Sequence, residues 1–160
     1  MSPARSVRER ATRPCRVLIA DAHTESREFY RTLLKETGCD VIEAVDGRDA
    51  LISALGHCPS LVIADTRLPI FDGFQLFDVL RRDVLTRSVP ILIVTSEPDE
   101  SELKRAQEAG VDSVLVKPVT PEALLREVQR LLRHPPKPDE PRRDTASHRK
   151  QAKPQRATND

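Results

Sequence analysis

The sequence has few aromatic residues and none of the glycine-rich loops that hold phosphates. Its 160 residues include no tryptophan, one tyrosine, four phenylalanines and five glycines. Neither GxGxxG nor GxxxxGK(S/T), the signatures of dinucleotide and nucleoside triphosphate sites, is present. An aromatic cofactor would also find few stacking partners. A flavin or nucleotide enzyme is therefore the least favoured class of function.

The three cysteines give little support to a disulfide framework or a thiolate metal site. Cys15, Cys39 and Cys58 are odd in number and lack CxxC spacing. Since all three lie in apolar neighbourhoods, we predict that they are reduced and structural.

Long apolar runs are also missing. No run approaches the ~20 residues that span a bilayer. The arginine-rich start is not followed by the apolar region of a signal peptide. We therefore expect no membrane segment and a cytoplasmic location.

Charge is nearly balanced overall but unevenly distributed. The net charge is +1, with +3 in residues 1–14, +3 in residues 134–160 and −5 between them. The last segment has only alanine and proline as apolar residues, too little to offset the entropy cost of ordering. We predict a basic flexible extension over 1–14, one folded domain over 15–133 and a disordered Pro/Lys/Arg-rich tail over 134–160. We expect no DNA-binding domain in these ends, and their dispersed charge is typical of solvated linkers.

Short apolar runs alternate with longer amphipathic segments in the middle of the chain, which is typical of a parallel sheet with crossover helices. The predicted strands are residues 17–20, 41–44, 61–64, 91–94 and 114–116. Five helices are predicted between and after these strands. The first covers about residues 24–37, the second follows Asp46-Gly47 and the third starts at Gly73. The fourth ends before Gly110, and the fifth starts after the Thr120 cap. Five units are too few for the usual closed barrel. We predict an α/β fold, a doubly wound five-stranded parallel sheet flanked by five helices.

Polar residues follow four of the predicted strands. Asp21, Asp65, Thr95 and Lys117 stand at strand carboxyl ends, where open parallel sheets bind their ligands. Two carboxylates, a hydroxyl and an ammonium group suit a hard cation and a phosphoryl group. We expect these side chains to converge in one crevice.

The motifs around these positions resemble those of the response-regulator receiver family over residues 15–133. They are DAHTESR from Asp21, LVIADTRLPIFDGFQL around Asp65, ILIVTS around Thr95 and VLVKPVT around Lys117. The resemblance implies a flavodoxin-like receiver fold with strand order 2-1-3-4-5. It also implies a two-component signalling protein with no separate enzymatic activity beyond self-catalysed phosphoryl transfer.

The resemblance implies a role for each site residue. Asp65 would be the phosphoacceptor, receiving the group from a histidine kinase or phosphotransfer protein. Lys117 and Thr95 would stabilise the phosphoryl group. Asp21, Asp65 and the main-chain carbonyl of Arg67 would hold Mg²⁺.

The sequence departs from the family pattern at two positions. Ala22 replaces an acidic residue expected to contact the metal, which predicts weaker Mg²⁺ binding and slower phosphorylation. Val114 replaces the aromatic switch residue three positions before Lys117. Pro118 occupies the place of a family proline that forms a cis bond, and Glu97 is expected near the path of water attacking the phosphoryl group.

Two functions follow. The leading hypothesis is a receiver that is phosphorylated on Asp65 and signals by phosphorylation-dependent protein–protein interaction with a downstream protein. The alternative is a degenerate receiver, a docking or scaffold domain whose binding does not depend on phosphate, and Ala22 with Val114 favours it.

Overall fold

The computed structural model describes residues 14–96 and 98–135. The predicted basic extension and disordered tail lie almost entirely outside the described residues, and Glu97 lies outside them as well. No helix within the described ranges combines the length and hydrophobicity needed to cross a bilayer.

Five strands and five helices alternate along the described chain, as the apolar pattern predicted. The strands are β1 (Arg16–Ala20), β2 (Asp40–Ala44), β3 (Leu61–Ala64), β4 (Ile91–Thr95) and β5 (Ser113–Val116). The helices are α1 (Thr24–Lys35), α2 (Gly47–His57), α3 (Gly73–Arg82), α4 (Glu100–Glu108) and α5 (Pro121–Arg133). The strands form one parallel sheet in the order β2-β1-β3-β4-β5, which confirms the predicted fold class and strand order.

Both faces of the sheet are covered. Along β1, Leu18 and Ala20 pack into an apolar cluster that includes residues of α2, α3 and α4. Val17 and Ile19 point the other way, into a cluster with residues of α1 and α5. Successive side chains of a strand face opposite sides, so β1 has to be apolar at nearly every position. This is why the central strands read as continuous hydrophobic runs.

Local signals set several helix ends. Thr120 caps α5 by accepting a hydrogen bond from the backbone N–H of Ala123, and Pro121 is the first helical residue, as predicted. Asp72 and Gln75 form a reciprocal capping box at the start of α3. Gly38 follows α1 with a φ of +76°, a left-handed conformation in which glycine has no steric penalty.

The prediction that all three cysteines are reduced was wrong. Cys15 and Cys39 form a disulfide, and Cys58 is free and exposed. The parallel register pairs Arg16 of β1 with Asp40 of β2, so the residues just before them lie side by side. Their Cα atoms are 4.7 Å apart, within the range a disulfide bridges. The register of β1 and β2 brings the two cysteines together, and the number and spacing of cysteines in the sequence do not reveal that register.

Candidate functional site

Four predicted site residues lie at the carboxyl ends of adjacent strands. Asp21 follows β1, Asp65 follows β3, Thr95 ends β4 and Lys117 follows β5. The backbone continues the sheet at this edge, since the N–H of Asp65 donates to the carbonyl of Ala20 and the N–H of Lys117 donates to the carbonyl of Thr95. The strand order β1-β3-β4-β5 therefore fixes the order of the four residues across the crevice.

Lys117 bridges the two carboxylates. Its Nζ donates hydrogen bonds of 3.0 Å to Oδ2 of Asp21 and of 3.0 Å to Oδ2 of Asp65. The Asp21 and Asp65 side chains are only 2% and 7% exposed, and that of Lys117 is 20% exposed. Two carboxylates and one ammonium group leave this buried cluster with a formal charge of −1. It can therefore accept further positive charge.

The carboxylates control the protonation of the lysine. Burial of Lys117 is the largest single influence and lowers the pKa of its ammonium group, but the hydrogen bonds and negative charges of Asp65 and Asp21 together outweigh burial. The net effect raises the pKa of Lys117 above its ordinary value. The lysine is therefore a fixed positive charge at neutral pH, suited to holding an anion.

The loop after β3 is shaped to present Asp65. The backbone N–H of Arg67 donates to Oδ1 of Asp65 at 3.1 Å. Gly73 starts α3 so close to the strand end that an added Cβ would lie 2.6 Å from the carbonyl oxygen of Asp65. Only glycine fits there, which gives the Asp72-Gly73 motif a physical reason. The metal role of the Arg67 carbonyl stays a prediction.

Thr95 is held by a neighbour that the sequence did not single out. Its hydroxyl lies 3.1 Å from the hydroxyl of Thr66, and both side chains are buried. Val114 is buried in β5 opposite Ile93, where it packs as part of the apolar cluster. The Lys117–Pro118 peptide bond is cis, which answers a point that the sequence left open.

His23 is a second residue that sequence reasoning missed. Its backbone N–H donates to Oδ1 of Asp21 at 2.9 Å, and its ring Nδ1 lies 3.1 Å from the same oxygen. The imidazole is 74% exposed at the mouth of the site. Its position two residues after Asp21 was the available signal, but sequence spacing alone does not say where the ring turns.

Arg27 fixes the loop that carries Asp21. One guanidinium nitrogen donates to the carbonyl of Asp21 at 2.7 Å, and Nε lies 3.5 Å from Oε1 of Glu43. The arginine therefore ties the first turn of α1 to the end of β1 and to β2. The side chain is 13% exposed, so this contact is well shielded.

The residues present suit a divalent cation. Asp21, His23 and Asp65 each offer one ligand atom, and these atoms lie within 4.8 Å of one another. Ala22, in the expected acidic position, is exposed and has no side-chain ligand atom. The donor set therefore comprises two carboxylates and a nitrogen in place of three carboxylates.

Tyr30 lies under the same cluster. It is buried, and burial is the main reason that its pKa is raised to about 12. The charge of Lys117 lowers this pKa, while the charges of Asp21 and Asp65 raise it. The one tyrosine of the chain thus senses the charges of the site.

Comparisons with known proteins agree with this arrangement. The sequence model of the response regulator receiver domain matches residues 17–129. Protein PilG of Pseudomonas aeruginosa is 32% identical over 110 residues, which cover 69% of this chain and 82% of PilG. The phosphate regulon transcriptional regulatory protein PhoB of Klebsiella pneumoniae is 28% identical over 118 residues, 74% of this chain but only 52% of PhoB.

A solved structure gives the same result. The chemotaxis response regulator CheY4 of Vibrio cholerae superposes with a TM-score of 0.70 at 31% sequence identity. The match covers 75% of this chain and 100% of that protein.

Proposed function

Since this chain belongs to the response regulator receiver domain family, we propose that Asp65 accepts a phosphoryl group from a histidine kinase or phosphotransfer protein. The phosphorylated chain then signals through phosphorylation-dependent binding of a downstream protein. Receiver domains are signalling domains, typically phosphorylated on an aspartate, that interact with such kinases. The observation that carries the proposal is the buried Asp65 carboxylate, hydrogen-bonded to Lys117 beside Asp21.

Each residue has a distinct part in this reaction. A carboxylate oxygen of Asp65 forms a bond to phosphorus as the bond between phosphorus and the donor imidazole nitrogen breaks, and the released imidazole retains the electron pair of that bond. Lys117 neutralises charge on the phosphoryl oxygens, which is the main task of a phosphoryl-transfer site. The hydroxyl of Thr95 breaks its hydrogen bond with Thr66 and donates a hydrogen bond to a phosphoryl oxygen.

Receiver domains bind Mg²⁺ through an acidic aspartate cluster. Here Asp21, Asp65 and the main-chain carbonyl of Arg67 would hold the ion, which supplies charge neutralisation to the phosphoryl oxygens when bound. The missing acid at Ala22 weakens this binding because a hard cation loses a charged ligand. It also relieves repulsion on Asp65, since a like charge 4 Å away costs roughly 4 kcal/mol at an effective dielectric constant of 20. This receiver therefore tolerates the absence of metal better than a receiver with a complete acidic cluster does.

The test is intact-protein mass spectrometry after incubation with acetyl phosphate, with and without Mg²⁺. We expect the wild type to gain one phosphoryl group, Asp65→Asn to gain none, and Ala22→Asp to be labelled faster with Mg²⁺. Asp78→Asn, which alters an exposed aspartate on α3, is the matched control and should be labelled as the wild type is. If Asp65→Asn gains a phosphoryl group to the same extent as the wild type, the assignment of Asp65 is refuted.

A degenerate receiver is the second candidate. It is favoured by Ala22, which has no side-chain ligand atom, and by the buried Val114 in place of the aromatic switch residue. In that case the wild type acquires no phosphoryl group, and a partner binds wild type and Asp65→Asn with the same affinity. The absence of labelling is measured by the mass spectrometry described above, and the binding of a partner is compared between wild type and Asp65→Asn.

A further inference from the structure

The loss of the acid at position 22 coincides with a histidine beside the same site. We propose that His23 supplies the third metal ligand, and that the site consequently binds divalent ions that accept imidazole, of the Mn²⁺, Co²⁺ and Zn²⁺ class, in preference to Mg²⁺. The inference deepens the proposed function, because it concerns the metal that acts with Asp65.

The geometry already resembles a pair of adjacent ligands. Nδ1 of His23 lies 3.1 Å from Oδ1 of Asp21. Neighbouring donors around an octahedral ion with bonds of about 2.1 Å are separated by about 3 Å. The backbone N–H of His23 donates to the same Oδ1 at 2.9 Å, which holds the residue against Asp21. In the tautomer that carries its proton on Nε2, the neutral ring would offer Nδ1 as a ligand to an ion at this position.

The two oxygens of Asp21 face different partners. Oδ2 accepts from Lys117, while Oδ1 faces the imidazole. A cation beside Oδ1 therefore does not require Lys117 to leave. His23 is the N-cap residue of α1, but its side chain makes no capping hydrogen bond, so the ring has no competing structural duty there. A divalent ion converts the cluster charge from −1 to +1, which favours an incoming phosphoryl dianion.

The donor chemistry sets the preference among metals. Mg²⁺ selects oxygen ligands and gains little from an imidazole, whereas Mn²⁺, Co²⁺ and Zn²⁺ accept nitrogen. An intact acidic pair would serve Mg²⁺ well, but Ala22 has removed one oxygen ligand and His23 offers a nitrogen next to it. The exchange lowers the affinity for Mg²⁺ while maintaining that for the other ions.

The experiment uses the full chain without a histidine tag and Mn²⁺ as the probe, because Mn²⁺ has little affinity for the free thiol of Cys58. Affinities for Mn²⁺ and Mg²⁺ are measured by calorimetry, and pulsed electron paramagnetic resonance detects coupling of bound Mn²⁺ to a nitrogen nucleus. His23→Ala is the test variant. His57→Ala is the matched control, since His57 is exposed at the end of α2. Ala22→Asp should raise the affinity for Mg²⁺.

We expect nitrogen coupling in the wild type and in His57→Ala, and none in His23→Ala. His23→Ala should lose roughly tenfold or more in Mn²⁺ affinity and roughly twofold or less in Mg²⁺ affinity. Absence of Mn²⁺ binding, binding without nitrogen coupling, or an equal loss of both metals in His23→Ala overturns the proposal. Mn²⁺ ligation by His23 without labelling of Asp65 would overturn only the proposed function, and labelling without nitrogen ligation would overturn only this inference.

Discussion

The hydroxyl groups of Thr66 and Thr95 lie 3.1 Å apart and share a buried hydrogen bond across the ends of β3 and β4. Within the part of the chain that the structure describes, neither threonine hydroxyl bonds to any other side chain. Thr95 must turn away from Thr66 if it is to donate to a phosphoryl oxygen. Phosphorylation of the proposed site would therefore break a hydrogen bond that holds the ends of β3 and β4 together.

A double-mutant cycle on this pair should show coupling. Thr66→Val or Thr95→Val alone leaves one buried hydroxyl without its partner, which costs about 1–3 kcal/mol. The double variant removes both hydroxyls, so its loss of stability should fall short of the sum of the two single losses by about 1 kcal/mol. Urea unfolding monitored by circular dichroism measures the three values. Strict additivity would mean that the hydroxyls do not stabilise each other.

Replacing Lys117 should be costly because it leaves two carboxylates close together and buried. We expect Lys117→Met to lower the free energy of unfolding by about 3 kcal/mol. Adding Asp65→Asn should restore part of the loss by removing one of the two negative charges. Lys104→Met changes a lysine that is 76% exposed on α4 and should cost about 0.5 kcal/mol or less. Similar losses for the two lysine variants would contradict the bridging role of Lys117.

Tyr30 should titrate far above the usual range, and the effect on stability has a definite sign. Its pKa is raised from 10.0 to about 12 in the folded chain, with burial as the main cause. The unfolded chain therefore releases the phenol proton first, and stability declines as the pH rises from 10 to 12. Ultraviolet titration reports on this group alone because the chain has one tyrosine and no tryptophan. A native midpoint near 10, equal to that in denaturant, would contradict the burial of this ring.

The far end of the sheet contains a buried ion pair that should matter for stability alone. Asp112 accepts hydrogen bonds from Arg81 at 2.9 Å and from the backbone N–H of Ile91 at 2.7 Å. Asp112→Ala should cost about 3 kcal/mol or more, because it removes the carboxylate beside the Arg81 guanidinium, whose side chain is only 14% exposed. Asp78→Ala breaks the exposed pair with Arg82 and should cost about 0.5 kcal/mol or less.

Labelling by acetyl phosphate should persist in folded Asp112→Ala, since Ile91 begins β4 and the proposed site lies at the other end of that strand. Equal unfolding energies for the two aspartate variants would contradict the structural importance of the buried pair.

Reduction of the Cys15–Cys39 disulfide should destabilise the fold. The bond joins residues 24 apart in sequence, and releasing a loop of this size costs about 3 kcal/mol in chain entropy. Cys15→Ser should show a similar loss and no further response to reductant. Cys58→Ser, which changes the free exposed cysteine, should retain full stability and full sensitivity to reductant. Intact mass under non-reducing conditions identifies the bond, and a wild type insensitive to reductant would contradict its contribution.

The sequence by itself determined the elements and the fold. Apolar runs marked the strands, and Gly38, Gly110 and Thr120-Pro121 marked helix ends, because strand burial and helix capping depend on residues close together in the chain. The motif order then gave the strand order by resemblance. The same reasoning identified Asp21, Asp65, Thr95 and Lys117, since strand ends of a parallel sheet meet at one edge.

Only the tertiary structure decided which of these groups touch. Lys117 lies 96 residues from Asp21 and 52 from Asp65, yet bridges both carboxylates. The pairing of Cys15 with Cys39 required the register of β1 and β2, and that of Thr66 with Thr95 required the packing of β3 beside β4. Contacts between strands depend on register and side-chain direction, which are properties of the folded sheet and not of any local pattern. The side-chain direction of His23 is likewise fixed only in the folded loop, and it brings a nitrogen ligand next to the aspartate whose acidic neighbour the sequence had lost.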